Sequence, residues 1–235
     1  MRSEPLLEVR SLRKAFNQVP AVDGLSFDLL PGEVLGLTGP NGSGKTTVFN
    51  LIAGLVRPDG GSVQLQGREL VGLKPHQITR RGLTRTFQLA RPFLELTVWE
   101  NVLVATLFAA GARPAVRGAR VQELLTLTDL LVQREAPAAK LSSGCLRRLE
   151  VARALATSPQ VLLLDEPFSG LSLKEESKML DLLHNLNQAG MSMILVSHGE
   201  RHLKTLCQRA IALRAGRKVA EGPADEVLQA LRPLS

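Results

Sequence analysis

The stretch Gly39-Pro40-Asn41-Gly42-Ser43-Gly44-Lys45-Thr46-Thr47 constrains this chain more than any other. It fits G-x-x-x-x-G-K-[ST], a loop whose glycines let several backbone N–H groups converge on an anion at a helix N-terminus. Before it, Val34-Leu35-Gly36-Leu37-Thr38 is a short apolar run that reads as a buried parallel strand. After it, Val48, Phe49, Leu51, Ile52 and Leu55 give a helix its apolar face, closed by Gly54 and Pro58. Strand, glycine loop and helix form the setting the motif needs, so a nucleoside triphosphate is the expected ligand. Lys45 is placed to reach the β- and γ-phosphates, and the Thr46 hydroxyl to ligate Mg²⁺.

The remaining sequence supports an α/β reading. Leu7, Val9 and the alternation Leu25-Phe27-Leu29 predict strands with one buried face, and Val63 and Leu65 another after the turn at Pro58-Asp59-Gly60-Gly61. These make an antiparallel β subdomain around the start of the core. Thr97-Val98-Trp99-Glu100 is a capping box, opening a helix with Val98, Val102, Ala105 and Ala109 on one face. Gly111 to Gly118 breaks it, and Val121, Leu124, Leu125, Thr128, Leu131 and Val132 predict a second amphipathic helix. Residues 89–158 are expected to be a mostly helical lobe inserted in a domain spanning 5–235.

Val161-Leu162-Leu163-Leu164 predicts a second buried strand, then a helix with Leu180, Leu183 and Leu186 on its stripe. Met193-Ile194-Leu195-Val196 predicts a third strand; Ile211 to Val219 suggests a hairpin and Asp225 to Leu231 a last short helix. Alternating strands and helices imply a doubly wound, largely parallel sheet, which binds ligands at the C-terminal ends of its strands.

The acidic pair Asp165-Glu166 closes the second strand. In that position Asp165 can help hold Mg²⁺, and Glu166 can polarise an attacking water as general base. His198, at the end of the third strand, is a candidate to sense the terminal phosphate.

Composition narrows the partners. The 235 residues carry a net charge of +7, with six basic residues and no acidic one from Arg201 to Lys218. Between positions 68 and 91 only Glu69 opposes Arg68, Lys74, Arg80, Arg81, Arg85 and Arg91. Such charge suits an anionic surface, yet one Trp, seven Phe and no Tyr leave little aromatic interleaving for nucleic acid. No apolar run approaches the ~20 residues of a membrane span. Met1-Arg2-Ser3-Glu4-Pro5 lacks a signal-peptide core, and Cys145 and Cys207 form no metal-spaced cluster. A cytosolic location is expected.

The motifs in this order resemble the ATP-binding subunit of an ABC transporter over practically the whole chain. Phe16 matches the aromatic that stacks on adenine, and Gln88 in Arg85-Thr86-Phe87-Gln88 the glutamine that links Mg²⁺ to the transmembrane partner. Leu141-Ser142-Ser143-Gly144-Cys145 matches the signature motif, Ser169-Gly170-Leu171-Ser172 the D-loop, and His198 the switch histidine. The resemblance implies that Ser142, Ser143 and Gly144 face ATP bound by a second subunit, the two subunits sandwiching two nucleotides. It also implies transmembrane permease partners, ATP hydrolysis, and a place on the cytoplasmic face of the membrane.

Three positions depart from the family pattern. Ser143 and Cys145 interrupt the usual L-S-G-G-Q or L-S-Y-G-Q, and Ser172 replaces the D-loop aspartate. Within the family, R-T-F-Q together with Thr97-Val98-Trp99-Glu100-Asn101 is similar to the branched-chain amino acid importers, which add a separate solute-binding protein. Subunits for urea or short amides share the pattern, and the lipopolysaccharide-export ATPase is close. The alternatives are a soluble ABC-type ATPase acting on ribosomes or DNA and a nucleotide-dependent regulator with little turnover.

Overall fold

The computed structural model describes residues 4–86, 92–108, 114–197 and 199–230. Two long strands, β1 (Leu7–Phe16) and β2 (Val19–Leu29), open the chain. Next, β3 (Val34–Thr38) runs through the glycine loop into α1 (Lys45–Ile52). After β4 (Gly60–Leu65) and β5 (Arg68–Glu69) come α2 (Pro75–Arg80) and β6 (Leu83–Arg85). Three helices follow, α3 (Val98–Thr106), α4 (Arg117–Leu127) and α5 (Ser143–Leu155). The chain then alternates through β7 (Val161–Asp165), α6 (Leu173–Gln188), β8 (Ser192–Val196) and α7 (Glu200–Leu206). The hairpin β9 (Arg209–Arg214) and β10 (Arg217–Pro223) leads into α8 (Ala224–Ala230).

The strands form an antiparallel sheet in the order β2-β1-β4-β5 and a six-stranded sheet in the order β10-β9-β3-β8-β7-β6. In the larger sheet only β10 runs antiparallel. This is the doubly wound core with an antiparallel N-terminal β subdomain that the sequence implies.

Fully buried strands β3, β7 and β8 divide their side chains between two cores by simple alternation. Leu35, Leu37, Leu163, Ile194 and Val196 face α1 and the antiparallel sheet, where Phe49 is fully buried. Leu162, Leu164, Met193 and Leu195 face helices α3 to α8. At about 1.5–3 kcal/mol per buried large side chain, these two layers fix the strand ends on which the site is built.

Several elements differ from the periodicity. Helix α1 stops at Ile52, so Leu55 is exposed beyond it rather than on its face. Helix α4 ends at Leu127 because Thr128 leaves helical geometry and Asp129 turns to a φ of 55°, which strands Val132 at 94% exposure. At its other end α4 starts at Arg117 and so takes in Gly118, the last residue of the expected break after α3. The α6 stripe is Met179, Leu182, Leu183 and Leu186, with Leu180 only partly buried. The expected box on α3 is present: Glu100 N donates to Thr97 Oγ1 at 3.1 Å and Thr97 N to Glu100 Oε2 at 2.8 Å. Ala109 lies outside the described residues.

The basic run from Arg201 to Lys218 is largely spent on ion pairs: Lys204 with Asp225, Arg209 with Glu33 and Glu221, Arg217 with Asp23, and Lys218 with Glu221. Acids outside the run, near and far in sequence, thus offset much of what looked like a basic face.

Candidate nucleotide site

The phosphate loop is shaped by contacts that exclude side chains. Gly39 has a φ of 140°, and a Cβ there would stand 2.2 Å from the Leu213 carbonyl oxygen. Gly44 caps α1 with a φ of 106°, where a Cβ would meet the Ala21 carbonyl oxygen at 2.4 Å. Gly216 N donates to Ser43 O at 3.0 Å and ties the loop to the β9–β10 turn. No side chain caps α1. Its first N–H groups and the positive end of its dipole are therefore turned to whatever fills the loop.

A cavity of about 280 Å³ lies there, walled by Asn41 to Thr47 on one side and by Ala21, Asp165, Glu166 and Val196 on the other. Lys45 is 7% exposed, its Nζ donating to Gly39 O at 2.8 Å and Pro40 O at 3.0 Å. Burial lowers its pKa, and the carboxylates of Glu166 and Asp165 push the other way. Ser43 Oγ is buried without a hydrogen-bond partner among the described residues. An orphaned hydroxyl beside a charged lysine and a bare helix end suits a polyanion with spare acceptor oxygens.

The acids reach this cavity from β7. Asp165 ends the strand in register with Val196 of β8. Glu166, 8% exposed, takes a φ of 50°, rare for a side chain that is not glycine, while its N–H donates to Val196 O at 3.0 Å. That turn costs about 1 kcal/mol or more and brings two successive carboxylates to the same cavity wall.

Arg85 was not singled out by the sequence. From the neighbouring strand β6 its guanidinium sits 2.7 Å from Asp165 Oδ2 and also donates to Asn50 Oδ1 of α1 at 2.5 Å. Both ends of the Arg85–Asp165 pair are almost fully buried. In the sequence it stands only as one basic residue of the 68–91 stretch and as the first residue of Arg85-Thr86-Phe87-Gln88.

The Thr46 hydroxyl and the Asp165 carboxylate are hard oxygen donors, the kind Mg²⁺ prefers. Among the described residues no group of three or more His, Cys, Asp or Glu could hold a metal ion. Such a sparse set fits an ion whose other ligands are phosphate oxygens and water.

A second helix start carries the signature residues. Ser142 is the N-cap of α5, its Oγ accepting from Cys145 N at 3.3 Å, with Ser143 and Gly144 in the first turn. Ser172 caps α6, its hydroxyl within 3.4 Å of Glu175 N and its own N–H donating to Glu175 Oε2 at 3.1 Å. Serine thus does the capping work that an aspartate would do there. Phe16 is half exposed at the end of β1, on the hairpin that also carries Ala21 to the cavity, with Lys14 Nζ 5.5 Å from its ring. Gln88 and His198 lie outside the described residues.

Buried His202, four positions beyond His198, escaped the sequence reading because a lone histidine carries no signal. It stacks on Phe168 at 3.9 Å between ring centroids, with Nδ1 3.2 Å from Ser197 Oγ and Nε2 3.4 Å from Glu176 Oε2.

Residues 22–169 match the model of the ABC transporter family, a span holding the phosphate loop, the signature residues and both acids. This chain belongs to that family. It is the ATP-binding subunit of a transporter and an ATPase. It is 38% identical to the high-affinity branched-chain amino acid transport ATP-binding protein LivG of Salmonella typhimurium, covering 96% of this chain and 94% of LivG. The lipopolysaccharide export ATP-binding protein LptB of Acidithiobacillus ferridurans is 37% identical over 95% of this chain and 92% of its own.

Among solved structures, the ADP conformation of the ATP-binding cassette MJ1267 superposes with a TM-score of 0.86 at 26% identity, covering 97% of this chain and 95% of that one. The dimeric post-hydrolysis state of the cassette MJ0796, bound to ADP and Pi, gives 0.83 at 26% identity, covering 93% and 98%. No helix among the described residues is long and apolar enough to cross a membrane.

Proposed function

We propose that this ABC subunit drives import of branched-chain amino acids or related small solutes, working as one half of an ATP-clamping pair beneath permease subunits. The observation that carries the ATPase part is the convergence of Lys45, Thr46, Asp165 and Glu166 on one cavity. Lys45 would leave its two loop carbonyls for the β- and γ-phosphates, where its charge offsets that which builds up during phosphoryl transfer. Glu166 would take a proton from the attacking water, with His198 beside the terminal phosphate. Mg²⁺, held by Thr46, Asp165 and Gln88, would supply charge neutralisation between the phosphates. Ser142, Ser143 and Gly144 would complete the site of a second ATP-binding subunit, and Phe16 would stack on adenine.

Docking to a permease is supported by an apolar groove of about 290 Å³ lined by Phe93, Val104, Ala105 and Phe108. Arg153, whose guanidinium stands 5.0 Å from the Phe93 ring, and Glu150 are among its polar lining residues. A groove of that kind takes an amphipathic helix. It would hold the chain on the cytoplasmic face of the membrane. A periplasmic or extracellular solute-binding protein would choose the cargo, and no nucleic acid is needed.

The test is ATP turnover and solute uptake by the assembled transporter in vesicles. Leucine, isoleucine or valine, delivered by the binding protein, should stimulate turnover, and Glu166→Gln should abolish both. Turnover equal in wild type and Glu166→Gln removes Glu166 from the mechanism. The similarity to LptB favours a second reading, lipopolysaccharide export. Stimulation by lipopolysaccharide, with indifference to amino acids, would select it.

A further inference from the structure

We propose that Glu175 is a built-in anion seated on the N-terminus of α5, and that the phosphate which docks there has to displace it. This rests on the reading of Ser142 to Gly144 as a phosphate-facing element. The seat itself is visible. Gly144 N donates to Glu175 Oε1 at 3.1 Å, and Ser142 Oγ lies 3.4 Å from the same oxygen. A carboxylate and a phosphate offer identical acceptor chemistry to such a helix start, so the two compete for the same donors. Two like charges also repel across so short a gap.

The grip is lopsided. Glu175 Oε2 accepts from Ser172 Oγ at 2.9 Å and from Ser172 N at 3.1 Å, while on the α5 side Oε1 has one bond of equal length, from Gly144 N at 3.1 Å, and a long one from Ser142 Oγ at 3.4 Å. The carboxylate is tied to its own helix by a capping box and to the other by a single bond of normal length, so it can leave α5 without leaving Ser172. Ser172 first, then Gly144 and Ser142, hold its pKa below the ordinary carboxylate range, so it is ionised at neutral pH. Glycine at 144 is part of the seat, because a Cβ there would stand 2.3 Å from Glu175 Oε1.

Displacement would be felt beyond α5. Glu175 closes the capping box of α6 on Ser172, so moving it loosens the D-loop's own cap. The next residue, Glu176, meets His202 Nε2 at 3.4 Å, and His202 Nδ1 reaches Ser197, which directly precedes His198. Adjacent acids in one helical turn therefore touch the signature residues and the segment leading to the switch position.

The experiment uses the full chain with ADP and Mg²⁺ saturating its own phosphate loop and inorganic phosphate as the probe. The Gly144 amide resonance is followed by heteronuclear NMR in wild type, Glu175→Gln and Glu175→Ala. Glutamine keeps one acceptor oxygen for Ser172, and with it the fold, but replaces the other with an NH₂ group that cannot accept from Gly144 N, so the charge and the occupant of the seat are lost together. Expected is a saturable shift of Gly144 in both variants with a midpoint at least tenfold lower than in wild type. The same response in all three proteins, or none in any, overturns the proposal. A separate arm measures ATP-dependent association with the second ATP-binding subunit. Indifference of that association to Ser142→Ala would sink the underlying reading of the signature residues, whatever Glu175 does.

Discussion

Two helix starts, those of α1 and α5, answer the same physical problem in opposite ways. The first follows a glycine-rich loop and the second carries Gly144 in its first turn, and each leaves N–H donors and a positive dipole end to be satisfied. At α1 no side chain serves as cap and no acid lies in the first turn. A lysine is folded back onto the loop, and rigid backbone carbonyls from Ala21 and Leu213 define the walls. At α5 a serine caps the turn and the chain brings its own carboxylate to the remaining donor. The first start is shaped by backbone and kept open; the second is shaped by side chains and already occupied. A preformed cradle belongs to one subunit acting alone, whereas an occupied one awaits a competitor.

The largest effect that tests the contrast lies at the α1 corner. Glu166→Gln keeps the shape and hydrogen-bonding oxygen of the side chain but removes its basicity. ATP turnover by the assembled transporter should fall by about 10²–10⁴-fold, while nucleotide affinity measured by equilibrium binding stays near wild type. An equal fall in affinity would mean that Glu166 shapes the cradle and does not act on water.

Arg85 comes next. Replacing it with alanine leaves the Asp165 carboxylate buried beside α1 without its counter-charge, at a cost of about 3–5 kcal/mol. Urea unfolding of the isolated chain reads this directly. Arg85→Met combined with Asp165→Asn should recover much of the loss, because no lone charge then remains inside. If the single variant unfolds like wild type, the pair does not brace the α1 corner.

How legible these corners were follows from the range of their contacts. The α1 corner could be read from the sequence because strand, glycines, lysine and helix are consecutive, and their alternation and capping signals are local. The acids at 165 and 166 were legible for the same reason, standing at the end of four apolar residues. The Arg85–Asp165 pair was not, because 80 residues separate partners that only the adjacency of β6 and β7 brings together. Glu175 was hidden similarly: it reaches Gly144 across 31 positions. Short elements such as α2 and α7 span fewer than two turns, too few for a repeating stripe, and α4 was overextended because an apolar spacing continues past the left-handed turn at Asp129.

A matched pair of glycine substitutions separates backbone walls from side-chain walls. Gly39→Ala drives a Cβ to 2.2 Å from the Leu213 carbonyl oxygen in a φ region that alanine avoids. Because that wall cannot move alone, a loss of at least about 2 kcal/mol and of ATP binding is expected. Gly144→Ala meets one flexible side chain, Glu175, at Oε1, Cδ and Cγ, which must swing aside and give up its α6 capping contact, so its cost should stay at about 1 kcal/mol, below that of Gly39→Ala. Thermal unfolding of both variants side by side checks this, and equal losses would erase the distinction between the two corners.

The smallest effect concerns the cap. Ser142→Ala removes the hydroxyl that accepts from Cys145 N and that faces Glu175. Losing an N-cap costs about 1 kcal/mol, or about 2–4 °C in melting temperature for a chain of this size. The freed Cys145 N–H is near solvent, which holds the loss to that range, and Glu175 still meets Gly144. No counterpart change exists at α1. Gly44→Ser would supply a capping hydroxyl, but its Cβ would run into the Ala21 carbonyl oxygen, so the side chain that stabilises one helix start should destabilise the other. A melt in which Gly44→Ser gains stability would show that the α1 corner is not built around bare backbone.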